Sequence, residues 1–314
     1  MKAYYIFPDI AEQICIRLQK HLKYGEYADI TEGEFLALTL TAHVQEANHD
    51  KHLRVRWYPE PLPDQEGPMS QNQAWQDERR QQAEIDNYGI HKVERLPGNI
   101  GCLDIHEFYD SAWGGDTAVA ALNFLANTNV LIVDLRKCRG GDPDMIALII
   151  SYLFSKERVH LTSLYWPEED VTQEYWTLPY VPGKHFGDKP IYVLTGKDTF
   201  SGGEAFAYDL KTNQRATLIG EATGGGAHPG APYRLHSHFD VFIPNGRAIN
   251  PITGTNWEGS GVTPDIPIPQ EQAFKVAYSM ALKSVIGELG EAASRPFNLL
   301  KEEAQIALKD LETT

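Results

Sequence analysis

Cysteine is scarce in this sequence, and its three cysteines, Cys15, Cys102 and Cys138, stand far apart. An odd number of widely spaced cysteines fits neither a framework of disulfide bonds nor a zinc knuckle. We therefore expect three core thiols rather than a small domain held together by disulfides.

Long apolar runs are also missing. The N-terminal stretch MKAYYIFPDIAEQ has no apolar core of the signal-peptide type, and no later segment approaches the roughly 20 residues that span a bilayer. The sequence predicts a soluble chain with no transmembrane segment and no signal peptide among the residues given. The compartment stays open, because a signal peptide that had been removed would make an extracytoplasmic location compatible with this sequence.

Positive charge is in deficit. The 28 lysines and arginines face 43 aspartates and glutamates, which gives a formal net charge of -15. Binding to nucleic acid requires a basic surface that neutralises phosphates, and this composition does not supply one. We therefore expect no nucleic-acid partner.

The first part of the chain has the pattern of a small helical lobe. Apolar residues recur at helical spacing from Asp9 to about Asn48, and HLRVRWYP then alternates polar and apolar residues as a strand does. We predict an N-terminal helical lobe ending in a strand over 1–58. The polar segment 59–86 lacks apolar periodicity and is predicted to be a linker or surface excursion.

The remainder alternates strands with helices. NVLIVDL precedes RKCRGGDP and an apolar helix, and PIYVLTG precedes another strand-to-helix turn, so 87–290 is predicted to be an α/β domain with a largely buried sheet. Two Tyr-Trp pairs around an acidic turn, in SLYWPEEDVTQEYW, predict a hairpin arm. The tail from Pro269 predicts two helices, and the amphipathic C-terminal helix within 291–314 leaves a homo-oligomer open.

Ser201 occupies the second of these turns, in the stretch VLTGKDTFSGGEAF. It could be the N-cap of the following helix, with Glu204 completing an S-x-x-E capping box. It could also be a nucleophile presented at the positive end of that helix, beside small residues that admit a substrate carbonyl. The turn alone does not choose between the two roles.

Gly140 and Gly141 occupy the corresponding position after the preceding buried strand, in RGGDP. Because the carboxyl ends of parallel strands meet at one edge of a sheet, this turn and the Ser201 turn are expected to face the same crevice. Their amides could form an oxyanion hole, although two glycines also suit a tight turn before a helix that begins with proline.

The base that would serve Ser201 is not fixed by these patterns, since the chain has eleven histidines. His52, His106 and His228 are candidates of equal standing at this point. A different hypothesis comes from HSHFD, in which His236, His238 and Asp240 resemble a metal-binding run with both histidines on one strand face.

Four segments taken together resemble a known family: NHDKHLRVRW, NVLIVDLRKCRGGDP, TFSGGEAFAYDLKTNQRATLIGEATGGGAHPG and NWEGSGVTPDI. Their order and content are similar to the tail-specific, or C-terminal-processing, serine proteases. The similarity is greatest to the branch that contains tricorn core peptidases and the repeats of interphotoreceptor retinoid-binding protein. This resemblance implies a crotonase-like spiral α/β protease domain joined to an N-terminal helical lobe.

The resemblance also implies roles for individual residues. Ser201 matches the nucleophile, His52 matches the general base that this branch takes from the preceding lobe, and Glu258 in WEGSG matches the partner that orients the base. The amides of Gly141 and Gly202 match the oxyanion hole, with Gly140 close by.

Two positions depart from the wider family. The lysine that other tail-specific proteases use as the base would fall near Gly226, so a serine-lysine dyad is absent. The serine that precedes the histidine in the tricorn branch is replaced by Lys51. The chain also lacks an insert of the PDZ type.

The function implied is a serine peptidase that acts on peptides or unfolded proteins without a cofactor or a metal. An alternative is a non-catalytic module that binds apolar ligands on the same scaffold, as the retinoid-binding relatives do. The third hypothesis is the metal hydrolase at His236, His238 and Asp240. Substrate preference is not indicated by the sequence.

Overall fold

Helices and strands alternate along most of the chain in the computed structural model, which describes residues 2–155, 158–289 and 294–313. The helices are α1 Pro8–Lys23, α2 Gly33–Gln45, α3 Gln73–Ile85, α4 Ser111–Leu125, α5 Pro143–Leu153, α6 Gly202–Thr212, α7 Gln270–Glu288 and α8 Arg295–Thr313. The strands are β1 Arg54–Trp57, β2 Ile90–Leu96, β3 Ile100–Ile105, β4 Val130–Asp134, β5 His160–Trp166, β6 Val171–Trp176, β7 Ile191–Thr195, β8 Thr217–Gly220, β9 Gly230–His236, β10 Phe239–Pro244, β11 Arg247–Ile249 and β12 Ile266–Pro267.

The chain folds into two units, each assembled from separate stretches of sequence. The first contains Met1–Gln82, Ser163–Glu174 and Gly226–Ile249. The second contains Ala83–Thr162, Tyr175–Gly225 and Asn250–Thr314. The segment boundaries predicted from the sequence, after residues 58, 86 and 290, remain predictions.

The second unit is built on a six-stranded sheet with the order β12-β8-β7-β4-β3-β2. All neighbours in it are parallel except β2, which pairs antiparallel with β3. Every residue of β4 and β7 is buried, which explains their uninterrupted apolar sequences. Ile132 and Leu194 of this sheet share a core with Ala277 and Ala281 of α7. The α/β class predicted from the sequence is confirmed.

The first unit contains the N-terminal helical lobe. Helices α1 and α2 pack against the sheet β1-β10-β9 through a core that includes Ile14, Ala37, Leu53 and Ile243. Strand β1 follows α2 in the chain and pairs antiparallel with β10.

The polar segment 59–86 contains a helix that its composition does not indicate. The helix α3 has little apolar content, and only Ala83 on it is buried. Its start is stabilised by Asn72, whose side-chain oxygen accepts a hydrogen bond from the backbone of Trp75 at 3.1 Å. The segment therefore places an ordered helix at the surface.

The aromatic arm and the tail have the predicted form. Strands β5 and β6 flank the acidic turn and are neighbours in a three-stranded sheet with β11. The tail forms α7 and α8, and Ala304 of α8 is buried in the same core as α7, while residues 290–293 lie outside the described chain. Within the part of the chain that the structure describes, no helix combines the length and apolar content needed to cross a membrane.

Candidate active site

The turn between β7 and α6 is fixed by a buried threonine. The Thr199 hydroxyl donates to the Leu135 carbonyl at 2.7 Å and accepts from the Gly196 amide at 3.0 Å. The Phe200 amide also donates to the Cys138 carbonyl at 2.9 Å. Because Leu135 and Cys138 follow β4, these bonds tie the β7–α6 turn to the turn at the end of the neighbouring strand.

Ser201 adopts a backbone conformation that serine rarely takes. Its φ of +53° and ψ of -119° lie in a region that favours glycine, and it immediately precedes the first residue of α6. Holding a non-glycine residue there costs about 1–3 kcal/mol unless the surroundings stabilise it. A strained serine at a strand-to-helix turn is the backbone arrangement of a nucleophile elbow, although G-x-S-x-G is absent from this sequence.

Glu204 supplies that stabilisation. Its carboxylate is fully buried and accepts hydrogen bonds from the Ser201 amide at 2.8 Å, the Thr223 hydroxyl at 2.5 Å and the Gly225 amide at 2.6 Å. The glutamate half of the predicted capping box is therefore present. The sequence did not indicate that the same carboxylate also holds the Gly-rich loop, because Thr223 and Gly225 lie about twenty residues farther along the chain.

Glu258 lies on a loop joined to the same network. The Gly259 amide donates to the Gly225 carbonyl at 3.0 Å, and the Val262 amide donates to the Thr223 hydroxyl at 2.7 Å. The Glu258 amide itself donates to the Asn256 side chain at 3.0 Å. Ser201 and Glu258 thus belong to the same unit. Glu204 connects the turn that contains Ser201 with the Gly-rich loop that lies beside Glu258.

The two glycines of RGGDP lie against Ser201. Gly140 and Gly141 have φ values of +109° and +127°, and a Cβ on Gly141 would be 1.9 Å from the Phe108 carbonyl oxygen. A Cβ on Gly140 would be 2.7 Å from the Cβ of Ser201, and one on Gly202 would be 2.9 Å from the Gly141 amide nitrogen. The predicted proximity of the two turns is therefore observed.

The amides of these glycines differ in their partners. Among the described residues, the Gly141 and Gly202 amides donate to no protein acceptor. Burial raises the pKa of the Cys138 thiol to about 12, while a hydrogen bond from the Gly140 backbone opposes that rise. Gly141 and Gly202 therefore have the donors that a developing oxyanion could use, and the Gly140 amide is directed at sulfur.

His52 lies in the first unit and is almost completely buried, with 3% of its surface exposed. Its ring stacks on Phe242 with the centroids 5.7 Å apart. Burial lowers the pKa of His52 to about 4; Asp50 opposes this shift, whereas Arg54 and His228 reinforce it. The imidazole is therefore neutral at physiological pH, as a general base must be.

Asp50 forms a buried polar cluster around His52. Its carboxylate accepts from the Tyr5 hydroxyl at 2.9 Å and the His52 amide at 3.0 Å, and it lies 3.4 Å from Nδ1 of His228. Burial would raise the pKa of Asp50, but the hydrogen bond and charge of His228, with His52 and Tyr5, bring it below its ordinary value. Asp50 was not identified from the sequence, since an acid two residues before a histidine carries no motif.

The predicted common strand face for His236 and His238 is wrong. Strand β9 ends at His236 and β10 begins at Phe239, so His236 is the last residue of a strand and His238 lies in the hairpin turn that follows. The Asp240 carboxylate accepts from Arg56 at 2.9 and 2.7 Å and from the Tyr58 hydroxyl at 3.0 Å. These bonds occupy the carboxylate with an arginine and a phenol, and the geometry does not support the metal-hydrolase hypothesis.

Comparison with solved structures shows fold similarity at low sequence identity. A lipoprotein from Streptococcus agalactiae matches with a TM-score of 0.56 and 15% identity, over 90% of this chain and 92% of that one. The tricorn protease matches with a TM-score of 0.52 and 15% identity, over 91% of this chain and 35% of its own.

A photosystem II D1 C-terminal processing protease has 21% identity and a TM-score of 0.43 over 58% of this chain. The present chain spans 47% of that protease. It therefore covers about half of one such relative and about a third of tricorn.

Comparison with family models gives two adjoining matches. Residues 99–268, more than half of the chain, match peptidase family S41. Residues 1–92 match the N-terminal domain of peptidase S41 in eukaryotic IRBP. The two matches together include Ser201 with its turn, both glycines of RGGDP and His52 with its cluster. The chain belongs to peptidase family S41.

Proposed function

We propose that this protein hydrolyses peptide bonds in peptides or unfolded proteins, with Ser201 as the nucleophile. The observation that carries the proposal is the strained conformation of Ser201 at the start of α6, beside the Gly141 and Gly202 amides. A helix cap alone does not require that conformation, because N-cap residues ordinarily have extended backbone angles. The strained backbone of Ser201 is explained if it directs the hydroxyl toward a substrate.

In the proposed mechanism, His52 accepts the proton of the Ser201 hydroxyl as its oxygen attacks the scissile carbonyl. The carbonyl oxygen becomes an oxyanion that accepts hydrogen bonds from Gly141 and Gly202. Collapse of the intermediate breaks the C–N bond, and His52 returns the proton to the leaving amine. Water then hydrolyses the acyl-enzyme by the same sequence. Each oxyanion donor contributes roughly 3 kcal/mol to the transition state.

Two carboxylates would serve the imidazolium that forms on His52. Glu258 is proposed to accept a hydrogen bond from the ring and so select its tautomer. Asp50 is proposed to stabilise the positive charge, since Tyr5 and His228 hold it as a buried anion. Lys51 stands where the tricorn branch has a serine, so the hydroxyl of that serine is missing here. In this proposal Asp50 supports His52 without it.

The test is cleavage of a mixed library of synthetic peptides by wild type, Ser201→Ala and His52→Ala, with products identified by mass spectrometry. We expect defined new termini with wild type and a loss of roughly a millionfold in turnover for Ser201→Ala. Equal cleavage by wild type and Ser201→Ala would contradict the assignment of the nucleophile.

A second candidate function is the binding of an apolar ligand without catalysis. It is favoured by the match of residues 1–92 to the IRBP-type N-terminal domain. Binding of a fluorescent fatty acid that is equal in wild type and Ser201→Ala, with no peptide cleavage by either, would support this function instead.

A further inference from the structure

A cluster of metal-binding side chains lies in the helical lobe, apart from the groups used above. His21 stands on the last turn of α1, Glu26 in the connection that follows, and His43 near the end of α2. The Glu26 carboxylate oxygen Oε2 is 2.7 Å from Nδ1 of His21 and 4.0 Å from Nε2 of His43. One ligand atom from each residue lies within 4.8 Å of the others.

We propose that His21, Glu26 and His43 bind one divalent transition-metal ion of the Zn²⁺ type. Two imidazole nitrogens and a carboxylate oxygen are a common zinc ligand set, with bonds of about 2.0–2.2 Å and a fourth position left for water. Tetrahedral ligands on such an ion are about 3.3–3.6 Å apart, which lies within the separations found here. The ion would replace the hydrogen bond that Glu26 now accepts from His21.

The two rings must open slightly to coordinate. They are stacked with centroids 3.7 Å apart and planes 10° apart, so their nitrogen lone pairs now run side by side. Coordination would therefore require rotation about the side-chain torsions of His21 and His43. Metal coordination supplies the interaction that replaces the stack.

Each histidine also has a polar group at its other ring nitrogen. The Tyr27 hydroxyl is 2.8 Å from Nδ1 of His43, and a Glu46 carboxylate oxygen is 3.6 Å from Nε2 of His21. A neutral His43 that donates Nδ1–H to the tyrosine oxygen presents the lone pair of Nε2 to the ion. Such partners fix the tautomer and orientation of metal-binding histidines in known sites.

The carboxylates of Glu26 and Glu46 lie beside the rings and would partly balance the charge of a bound dication. Arg17 is 3.7 Å from Glu46, and Lys20 and Lys23 share the last turn of α1 with His21.

A comparable group in the second unit is less suitable. His91, Asp104 and His106 also come within 4.8 Å of one another, and each of the two groups has one exposed member, His91 here and Glu26 in the lobe. The charge of Lys137 acts on Asp104 and would repel an incoming ion. This group therefore provides an internal control for the site in the lobe.

The test is calorimetric titration of chelator-treated, dialysed protein with ZnCl₂ at pH 7.5, supported by the visible spectrum of the Co²⁺ form. We expect one equivalent of Zn²⁺, a tetrahedral Co²⁺ spectrum, and no comparable binding of Mg²⁺. His43→Ala and Glu26→Gln should weaken Zn²⁺ binding by more than a hundredfold, and Tyr27→Phe by roughly tenfold. Affinity should fall as the pH is lowered, because the ligands must be deprotonated.

Two matched variants are controls for location. His236→Ala removes an exposed hairpin histidine of the same unit, and His106→Ala disrupts the rival group. Both should bind Zn²⁺ as wild type does. Unchanged affinity in Glu26→Gln and His43→Ala, or loss of binding in His106→Ala, would overturn the proposal. Circular dichroism confirms that each variant is folded, and Ser201→Ala should bind normally because this site is independent of peptidase activity.

Discussion

Two turns in the second unit make the same connection with different residues. Each leads from a fully buried parallel strand, β4 or β7, to a helix that begins beside the other turn. After β4 the left-handed positions are occupied by Gly140 and Gly141, whereas after β7 the corresponding conformation belongs to Ser201. The first turn places glycine where a side chain would collide, and the second keeps a side chain at an energetic cost.

Under the proposed function, the difference separates a turn that would act through its side chain from a turn that would act through its backbone amides. Glycine at 140 and 141 allows close approach of Phe108 and Ser201 and leaves the Gly141 amide free to donate within the described structure. A glycine at 201 would relieve the strain, yet would lose the hydroxyl. We interpret Ser201, with Glu204 buried beneath it, as a residue at which the position of the hydroxyl matters more than local stability.

The largest effect is expected from adding a side chain to the turn that contains Gly140 and Gly141. In Gly141→Ala the new Cβ would lie 1.9 Å from the Phe108 carbonyl oxygen, so the loop must move and its amide must turn away. We expect turnover to fall by about 10²–10³-fold or more, together with a loss of stability. Peptide cleavage and urea unfolding measure the two effects.

Gly115→Ala is the matched control, because a Cβ there would be 3.6 Å from Leu148, which is an ordinary contact. It should retain wild-type activity. Wild-type turnover in Gly141→Ala would show that this turn contributes no oxyanion donor.

A smaller effect is expected from the buried anion beside the proposed base. In Asp50→Asn the carboxylate that opposes the lowered pKa of His52 is lost, so this pKa should fall further below about 4. The imidazolium formed during catalysis is then less stable, and kcat/KM at pH 7 should fall by roughly ten- to a hundredfold. The acid limb of the pH profile should move to lower pH.

The exposed Asp29 supplies the control, since Asp29→Asn should change neither the plateau nor the acid limb. The same pKa shift fixes the sign of a stability effect. Because the folded-state pKa of His52 is below its unfolded value of about 6.5, its contribution to stability is present above that pH and declines as pH falls toward 4. An acid limb that does not move in Asp50→Asn would separate Asp50 from the function of His52.

The smallest expected effect compares two inactive variants at the strained position. Ser201→Ala and Ser201→Gly both lack the hydroxyl, but only glycine accepts a φ of +53° without strain. We expect Ser201→Gly to be more stable than Ser201→Ala by about 1 kcal/mol. The midpoints of urea unfolding at unchanged slope test this, and a more stable alanine variant would contradict the strain at Ser201.

The elements that the sequence predicted best are those set by local pattern. Apolar runs identify β4 and β7 because these strands are buried along their whole length, and S-x-x-E marks the start of α6. The hairpin at His236 and His238 was missed because a turn without glycine or proline interrupts what looks like one continuous strand.

Local sequence pattern pointed to candidate residues only where the chain itself is contiguous. Ser201 and the glycine turns follow from strand-to-helix patterns, whereas the triple hydrogen bonding of Glu204 requires Thr223 and Gly225 to return from a distant part of the chain. Asp50 gains its anionic character from Tyr5 and His228, which are remote in sequence. Such long-range contacts have no periodicity that a sequence pattern can reveal.

The most direct test of Ser201 as an activated nucleophile is intact-protein mass spectrometry after incubation with a fluorophosphonate, on wild type, Ser201→Ala and His52→Ala. We predict one adduct per wild-type chain, none on Ser201→Ala and strongly slowed labelling of His52→Ala. Absence of an adduct on folded wild-type protein, or equal labelling of Ser201→Ala, would contradict the central claim.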